Sequence, residues 1–424
     1  TDPDACNYDP NIVAACDRGC TYCDWDKMDD GVIIENTNNT NNKFGWDVDI
    51  SRDGNRVIVT DPWDTTQSSA PFYNAGAFHV YDYDNSSSSW GVQNTAAGLN
   101  TLSGGQNHYT GYSVALAGEK GQYFVVPSTD SDVGSHSSGV ISTAVVDSSS
   151  VALYPSGSSF PQITLPASAA GTSPDQERGG SDVASVVKDD YIYLGAGSPG
   201  YSNSTSGASV PGNKEGLTRT YKSQISTNGS WTQFGGDILG GASNDESGTS
   251  VSMIENSGVL YLAVGSPGHT DASGNLDRGV VRVYQFTIAS SSSWSQLGSD
   301  IEIPTLSNSL NTTEANSFGA NLKLGHDGTL LNIVISGSVY SHSSNLYMVS
   351  YEYDSGWSLK GTPIEFQESS STPYHDILSQ PKTYTTGDSA PLYRHKTYTP
   401  SVTANAKGDR IAIGLNAEQD AVLG

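Results

Sequence analysis

The chain has 424 residues, 45 Asp and Glu against 20 Lys and Arg, a formal net charge of −25 at pH 7 and 35% hydrophobic residues. A surface this acidic repels phosphate backbones, which excludes nucleic acid as a partner, and favours solubility in media shared with divalent cations. The longest apolar runs are strand-sized, so no segment is expected to span a bilayer.

The first feature in chain order is a cysteine cluster: Cys6, Cys16, Cys20 and Cys23 are the only cysteines of the chain. An even, clustered count in a segment too small for its own core reads as two disulfides, with three pairings open. A structural zinc is the rival, because Cys20-x-x-Cys23 has ligand-like spacing, but the companion spacings are irregular and no histidine lies nearby. We expect residues 1–30 to form a small disulfide-rich module and 31–424 a single repeat domain. No secretory leader is read here, and Thr1 looks like a mature end or a cut within a longer chain.

From Phe44 onward a phrase of about seventy residues recurs six times, with starts near Phe44-Gly45, Gly111, Ser181, Gly248, Phe318-Gly319 and Pro400. Each copy has room for four strands. In the first they are Trp46–Ile50, Arg56–Thr60, Ala77–Tyr83 and a segment opening at Trp90. Period-two patterning, β-branched and aromatic enrichment, and Gly, Asp, Asn and Ser between the runs argue for strands rather than helices. Turn pairs at Asp53-Gly54, Ser257-Gly258, Asp327-Gly328 and Lys407-Gly408 predict two-residue hairpins joining the first and second strands. The third strand is written Gly76–Tyr81, Gly279–Tyr284 and, more loosely, Asn345–Tyr351. A tryptophan follows it at 90, 231, 294 and 357, and packing between sheets is its expected role. Four-stranded sheets repeated radially make a β-propeller, here of six to seven blades.

The sixth copy has strands expected at Ser401–Ala404 and Arg410–Gly414, and the sequence stops as a third would begin. An edge left open there would be filled by Gly31–Glu35 folding back, by chain beyond residue 424, or by a neighbouring molecule.

The Phe-Gly opening followed by Val264-Gly-Ser-Pro267, with Ala196-Gly-Ser-Pro199 beside it, resembles the FG-GAP repeat of integrin α-subunit propellers and their microbial relatives. The resemblance runs from about residue 44 to the end and implies a propeller, in a family that spans adhesion, ligand binding and structural roles. Its calcium-binding members carry an Asp-rich loop between the first and second strands, where this chain has short turns such as Ser51–Asn55, so those sites do not carry over. The N-terminal string Asp4-Ala-Cys-Asn-Tyr-Asp-Pro10 resembles a small Cys-rich "ACNYDP" repeat appended to surface proteins of aquatic microbes and their viruses, which implies an extracellular setting.

A separate run, Asp271, Ser273, Asn275 and Asp277, offers oxygens at alternate positions, and Asp130 and Asp132 occupy the equivalent loop of the second copy. Calcium is the cation such ligands would suit, with backbone and water completing six to eight oxygens. Solvated turn residues are the competing reading. No other cofactor is expected. Five N-x-[ST] acceptors, Asn38, Asn85, Asn203, Asn228 and Asn311, fall in predicted loops and agree with a secreted glycoprotein.

Catalytic signatures are missing from the sequence: no G-x-S-x-G elbow, no H-E-x-x-H, no phosphate-cradling or dinucleotide glycine loop, and no sialidase-type Asp box. We therefore expect a non-enzymatic, extracellular propeller acting as a structural or adhesive unit of a surface assembly such as an appendage, fibre or coat. Its expected partners are other protein subunits, as a homo-polymer or surface array. A carbohydrate-binding or carbohydrate-cleaving propeller is the alternative, with a carboxylate pair hidden among the many acids.

Overall fold

The computed structural model describes residues 45–62, 77–84, 86–87, 89–97, 111–128, 140–147, 150–153, 163–164, 179–202, 214–226, 230–304, 317–326, 329–339, 345–366, 401–404 and 411–414. Among the described residues every regular element is a strand, and all strand pairs are antiparallel. Sheet one holds β1 (Val48–Ile50), β2 (Arg56–Asp61), β3 (Ala77–Asp84) and β4 (Ser89–Ala97) in that order. Sheet two holds β5 (Ala115–Ala117), β6 (Tyr123–Ser128), β7 (Val140–Asp147) and β8 (Ser150–Leu153), with β9 (Ile163–Thr164) on β7. Sheet three runs β10 (Asp182–Lys188), β11 (Tyr191–Ser198), β12 (Leu217–Gln224) and β13 (Thr232–Leu239). Sheet four runs β14 (Ser250–Asn256), β15 (Val259–Ser266), β16 (Val280–Thr287) and β17 (Ser295–Gln296), with β18 (Ile301–Glu302) also on β16. Sheet five runs β19 (Asn321–His326), β20 (Leu331–Val339), β21 (Asn345–Tyr353) and β22 (Trp357–Phe366), and sheet six pairs β23 (Ser401–Ala404) with β24 (Ile411–Gly414).

The first strands of the sheets form a closed circle. β1 lies against β5, β5 against β10, β10 against β14, β14 against β19, β19 against β23, and β23 against β1. The apolar core is correspondingly divided into layers between successive sheets rather than gathered in one centre. Ile58, Phe78 and Val80 of sheet one meet Val114, Leu116 and Phe124 of the second repeat. Val125 and Ile141 meet Val183 and Leu194, Tyr193 meets Val251, Leu260 and Leu262, and Val281 and Val283 meet Leu322, Ile333 and Tyr347. The architecture is therefore all-β and β-propeller-like.

The glycines of the repeat explain why the sheets sit so close. The opening glycines Gly45, Gly111, Gly180, Gly248 and Gly319 have φ between 77° and 89°, a left-handed conformation costly for side chains with a Cβ. Four of them donate back to the second strand of their own sheet, as Gly45 does to the Thr60 carbonyl and Gly248 to that of Gly265. The Gly of each Gly-Ser-Pro phrase then receives the opening of the next sheet. A Cβ on Gly197 would stand 1.9 Å from the Gly248 carbonyl oxygen, and one on Gly265 would stand 2.0 Å from that of Gly319.

The two-residue hairpin holds at Ser257-Gly258, where both residues have positive φ and Asn256 pairs with Val259. It also occurs at Asp189-Asp190, between Lys188 and Tyr191. At Asp53-Gly54 the expectation fails. Ile50 pairs with Val57 and Ser51 bonds the Arg56 carbonyl, so 52–55 form a four-residue loop. The cause is Asp53, whose carboxylate accepts the Ser51 hydroxyl (2.6 Å) and the Asn55 amide (3.1 Å) and so builds an Asx-type turn. Asp327-Gly328 and Lys407-Gly408 lie outside the described residues.

Buried tyrosines give the fold an alkaline limit. Desolvation raises Tyr351 to about 12, with Glu302 adding to the effect, and burial pushes Tyr347 well above the usual phenol value. A phenol held protonated in the folded state stabilises it fully below pH 10, and that contribution is lost as pH rises from 10 towards 12. For Tyr351 it amounts to about 2–3 kcal/mol. The expected result is a urea midpoint that falls steeply above pH 10 and falls less in Tyr351→Phe, checked by denaturation at stepped pH.

Candidate functional site

The fourth-strand phrase Trp-x-Gln-Phe/Leu-Gly-x-Asp-Ile builds the most distinctive surface of the molecule. In sheet three the pairing of β12 with β13 slips between Thr218 and Thr220, where Gly235 and Gly236, at φ 74° and 80°, form a bulge. Asp237 pins it, accepting two bonds of 2.7 Å from the Arg219 guanidinium and one of 2.7 Å from Gln233 Nε2. Sheet four repeats the arrangement with Arg282, Gln296 and Asp300. Ile238 and Ile301 then turn back into the core.

Trp294 and Trp357, each opening a fourth strand, pack on the bulge of the preceding sheet. A Cβ on Gly235 would stand 2.4 Å from Trp294 Nε1, and Trp294 Nε1 donates to Thr220 Oγ1 at 3.0 Å. Trp357 does the same at Gly298, donating to the Leu297 carbonyl at 2.9 Å. Trp231 also packs on the layer between sheets two and three, so three of the four tryptophans are inter-sheet packing as expected. Trp90 instead packs on its own sheet, against Val57, Tyr81 and Tyr83.

Between sheets three and four this packing leaves a groove of about 580 Å³. One wall is aromatic. Phe234 lies edge-on to Tyr193 (5.5 Å between centroids) and to Phe286 (5.1 Å), and Trp294 backs both phenylalanines. The polar lining comes from Lys222, Gln233, the Gly235-Gly236 backbone, Ser291 and Ser292, while Ile288 closes the far side. A Cβ placed on Gly236 would meet nothing within 4 Å, so the groove opens outward there. Ser291 is fixed by the turn after β16, where its hydroxyl accepts the Thr287 amide at 3.0 Å. Lys222 rests its ammonium 5.6 Å from the centre of the Tyr191 ring.

A second polar system runs around the circle of first strands. Asp47 accepts the Val114 amide (2.9 Å), Asp49 the Leu116 amide (2.7 Å), Ser113 the Val183 amide (3.2 Å), Asp182 the Val251 amide (2.7 Å) and Ser252 the Leu324 amide (3.0 Å). Each bond ties one sheet to the next. Asp49 also receives Lys323 Nζ at 2.5 Å, from β19 across the inner strand of sheet six. A third cluster joins sheets three and four: buried Asp245 accepts the Gly241 and Ala242 amides and lies 3.0 Å from His269 Nδ1, beside Arg282.

The predicted metal loop is organised by its own donors. Asp271 accepts the amides of Ser273 and Asn275 on one oxygen (2.9 Å each) and Asn275 Nδ2 on the other (2.8 Å), with the Arg278 guanidinium 3.7 Å away. The Asn275 side-chain bond is the main reason the Asp271 carboxyl titrates below the usual range. Asp277 carries positive φ at the end of the loop, and its carbonyl accepts the Ser317 amide. Among the described residues no three His, Cys, Asp or Glu side chains converge as metal ligands. Asp130, Asp132, the four cysteines Cys6, Cys16, Cys20 and Cys23, and all five acceptors Asn38, Asn85, Asn203, Asn228 and Asn311 lie outside the described residues, as does Gly31–Glu35. Sequence reasoning missed the groove and the polar circle. The circle had a readable signal, since a short polar side chain stands two residues after every opening glycine: Asp47, Ser113, Asp182, Ser250 and Asn321.

No protein-family model matches the chain, and no curated protein does. Solved structures of similar overall shape include xylan beta-1,4-xylosidase from Bacillus halodurans C-125, at 12% identity and a TM-score of 0.41, covering 76% of this chain and 56% of that one. A levansucrase mutant from B. megaterium matches at 10% identity and a TM-score of 0.42, covering 74% of this chain and 83% of that one. The fucose-specific lectin from Aleuria aurantia matches at 12% identity and a TM-score of 0.42, covering 90% of this chain and 97% of that one. Likenesses this distant carry no ligand or activity across to this chain.

Proposed function

We propose that this chain is an interaction unit of an extracellular surface, a propeller of six blades that binds carbohydrate in the groove between its third and fourth sheets without cleaving it. The observation that carries the reading is the lining of the groove: the half-buried ring of Phe234, backed by buried Tyr193 and Phe286, on one wall, side-chain amide, hydroxyl and ammonium groups on the others, and an open mouth at Gly236. Sugars present exactly these complements in alternation, an apolar C–H face that stacks on rings and a rim of hydroxyls that needs hydrogen-bond partners. Most enzymes that hydrolyse glycosidic bonds use two facing carboxyl groups. The groove lining contributes none, which supports binding rather than turnover. The circle of six first strands supports six as the blade number. The cysteine-rich N-terminus and the sequons support an extracellular setting. The repeated Gly-Ser-Pro phrase at the contacts between sheets supports the likeness to FG-GAP repeats.

The test is a glycan array followed by a reducing-sugar assay on the purified chain. Saccharides are expected to bind and no reducing ends to appear. Ser292→Trp, an exposed position on the groove wall, is expected to weaken binding at least tenfold while leaving the urea midpoint within experimental error. Silence across the array, or binding untouched by Ser292→Trp, would remove the reading.

A further inference from the structure

Among the described residues almost every lysine and arginine is committed to a carboxylate. Arg52, Arg56, Lys188, Lys214, Arg219, Arg278, Arg282, Lys323 and Lys360 each lie within 4.0 Å of a carboxylate oxygen. Lys120 is near enough to Asp53 to help lower that carboxyl's pKa. Lys222 differs from the rest: among the described residues no carboxylate pairs with it, and its contact is the Tyr191 ring. In a chain of net charge −25 such a position is unusual, because acids are plentiful enough to neutralise any cation. The acids close to this wall are themselves engaged. Asp189 and Glu255, whose charges are felt by Tyr193, lie beside Lys188, and Glu255 also accepts the Gly258 amide at 2.7 Å. Asp237 is held by Arg219 and Gln233.

We infer that the groove selects anionic saccharides, sugars carrying a carboxylate or a sulfate, with Lys222 supplying the charge that recognises them; this rests on the carbohydrate reading above. The half-buried Phe234, backed by the buried Phe286, receives the ring face, and the Lys222 ammonium, beside the Tyr191 ring on the same groove lining, meets the anionic substituent. A charge-assisted hydrogen bond in a partly dried groove is stronger than its neutral counterpart. The net negative charge of the chain makes the discrimination local, because an anion gains attraction at Lys222 against a field that repels it over the acidic surface.

The experiment is calorimetric titration of the full chain with uronate oligosaccharides, sulfated oligosaccharides, and the neutral counterpart of each. Acidic ligands are expected to bind at least tenfold more tightly than their neutral counterparts, with the advantage shrinking as salt is raised. Lys222→Gln is expected to remove the advantage and Lys222→Arg to keep it. The uronate and sulfate arms show which anion the geometry prefers. Equal affinity for acidic and neutral forms, or a preference that survives Lys222→Gln, overturns this inference while leaving the carbohydrate reading in place. Absence of binding to every ligand overturns both.

Discussion

Gly265→Val is expected to abolish the cooperative unfolding transition of the chain. At this position in β15 a Cβ would stand 2.0 Å from the Gly319 carbonyl oxygen and 2.3 Å from Ser250 Oγ. The first of these is backbone, so no rotamer change relieves it. Carbon and oxygen come no closer than about 3.3 Å even in favourable C–H···O contacts, so sheets four and five would have to separate by more than about 1 Å. Separation uncouples the layer in which Val281, Val283 and Ala263 pack against Leu322, Ile333 and Tyr347. Overpacking a tight core costs about 1–3 kcal/mol when side chains can yield. A collision with backbone that forces two packed sheets apart exceeds that and is comparable to the whole stability of a domain. Gly356→Ala is the matched control, since a Cβ there meets nothing within 4 Å and is expected to shift stability by less than about 1 kcal/mol. Urea denaturation followed by circular dichroism decides the matter. A Gly265→Val chain with a midpoint near that of the parent would show that the sheets are not in contact along this seam.

The same glycine marks how much of the fold was legible in the sequence. The first-copy strands were readable nearly to the residue, because alternation and turn chemistry are local: Arg56–Thr60 was expected and Arg56–Asp61 is found, and Ala77–Tyr83 became Ala77–Asp84. The Gly-Ser-Pro phrase was visible as a repeat, but its reason was not, since the atom that forbids a Cβ belongs to a glycine more than fifty residues away. The Asp53 turn was misjudged because the dipeptide was weighed without Ser51 and Asn55, whose bonds to the Asp53 carboxylate lengthen the loop. The groove was out of reach for a different cause. Its walls come from β11, β12, β13, β16 and the turn after it, so Lys222, Phe234 and Ser292 share one opening only through the packing of two sheets and the slip of register at Gly235-Gly236. In the loop at 271–277 the alternate oxygens were legible, but not the bond by which the Asn275 amide donates to Asp271 and organises the turn.

Closure of the circle is where a single pair of side chains has its largest expected effect after Gly265. Asp49 is buried, and two of its bonds join sheets: one from the Leu116 amide ties sheets one and two, and one from Lys323 reaches over the inner strand of sheet six. Asp49→Ala removes both acceptors at once and leaves an ammonium and a buried amide without them. Breaking a buried ion pair from one side costs about 3–5 kcal/mol, and the partial exposure of the lysine places the expected loss at the lower end of that range. Lys323→Met should cost a similar amount, about 3 kcal/mol, because it strands the more deeply buried member of the pair, although the carboxylate keeps the Leu116 amide and the methionine replaces the apolar stem. The double variant is expected to be less destabilised than the sum of the two singles by about 1–2 kcal/mol, the coupling of groups in contact. Amide hydrogen exchange adds a spatial readout: since the pair joins the first sheet to the fifth across the sixth, its loss should speed exchange in β1 and β23 before β14. Strict additivity of the two variants, with uniform exchange around the circle, would mean that this contact contributes nothing to holding the ring shut.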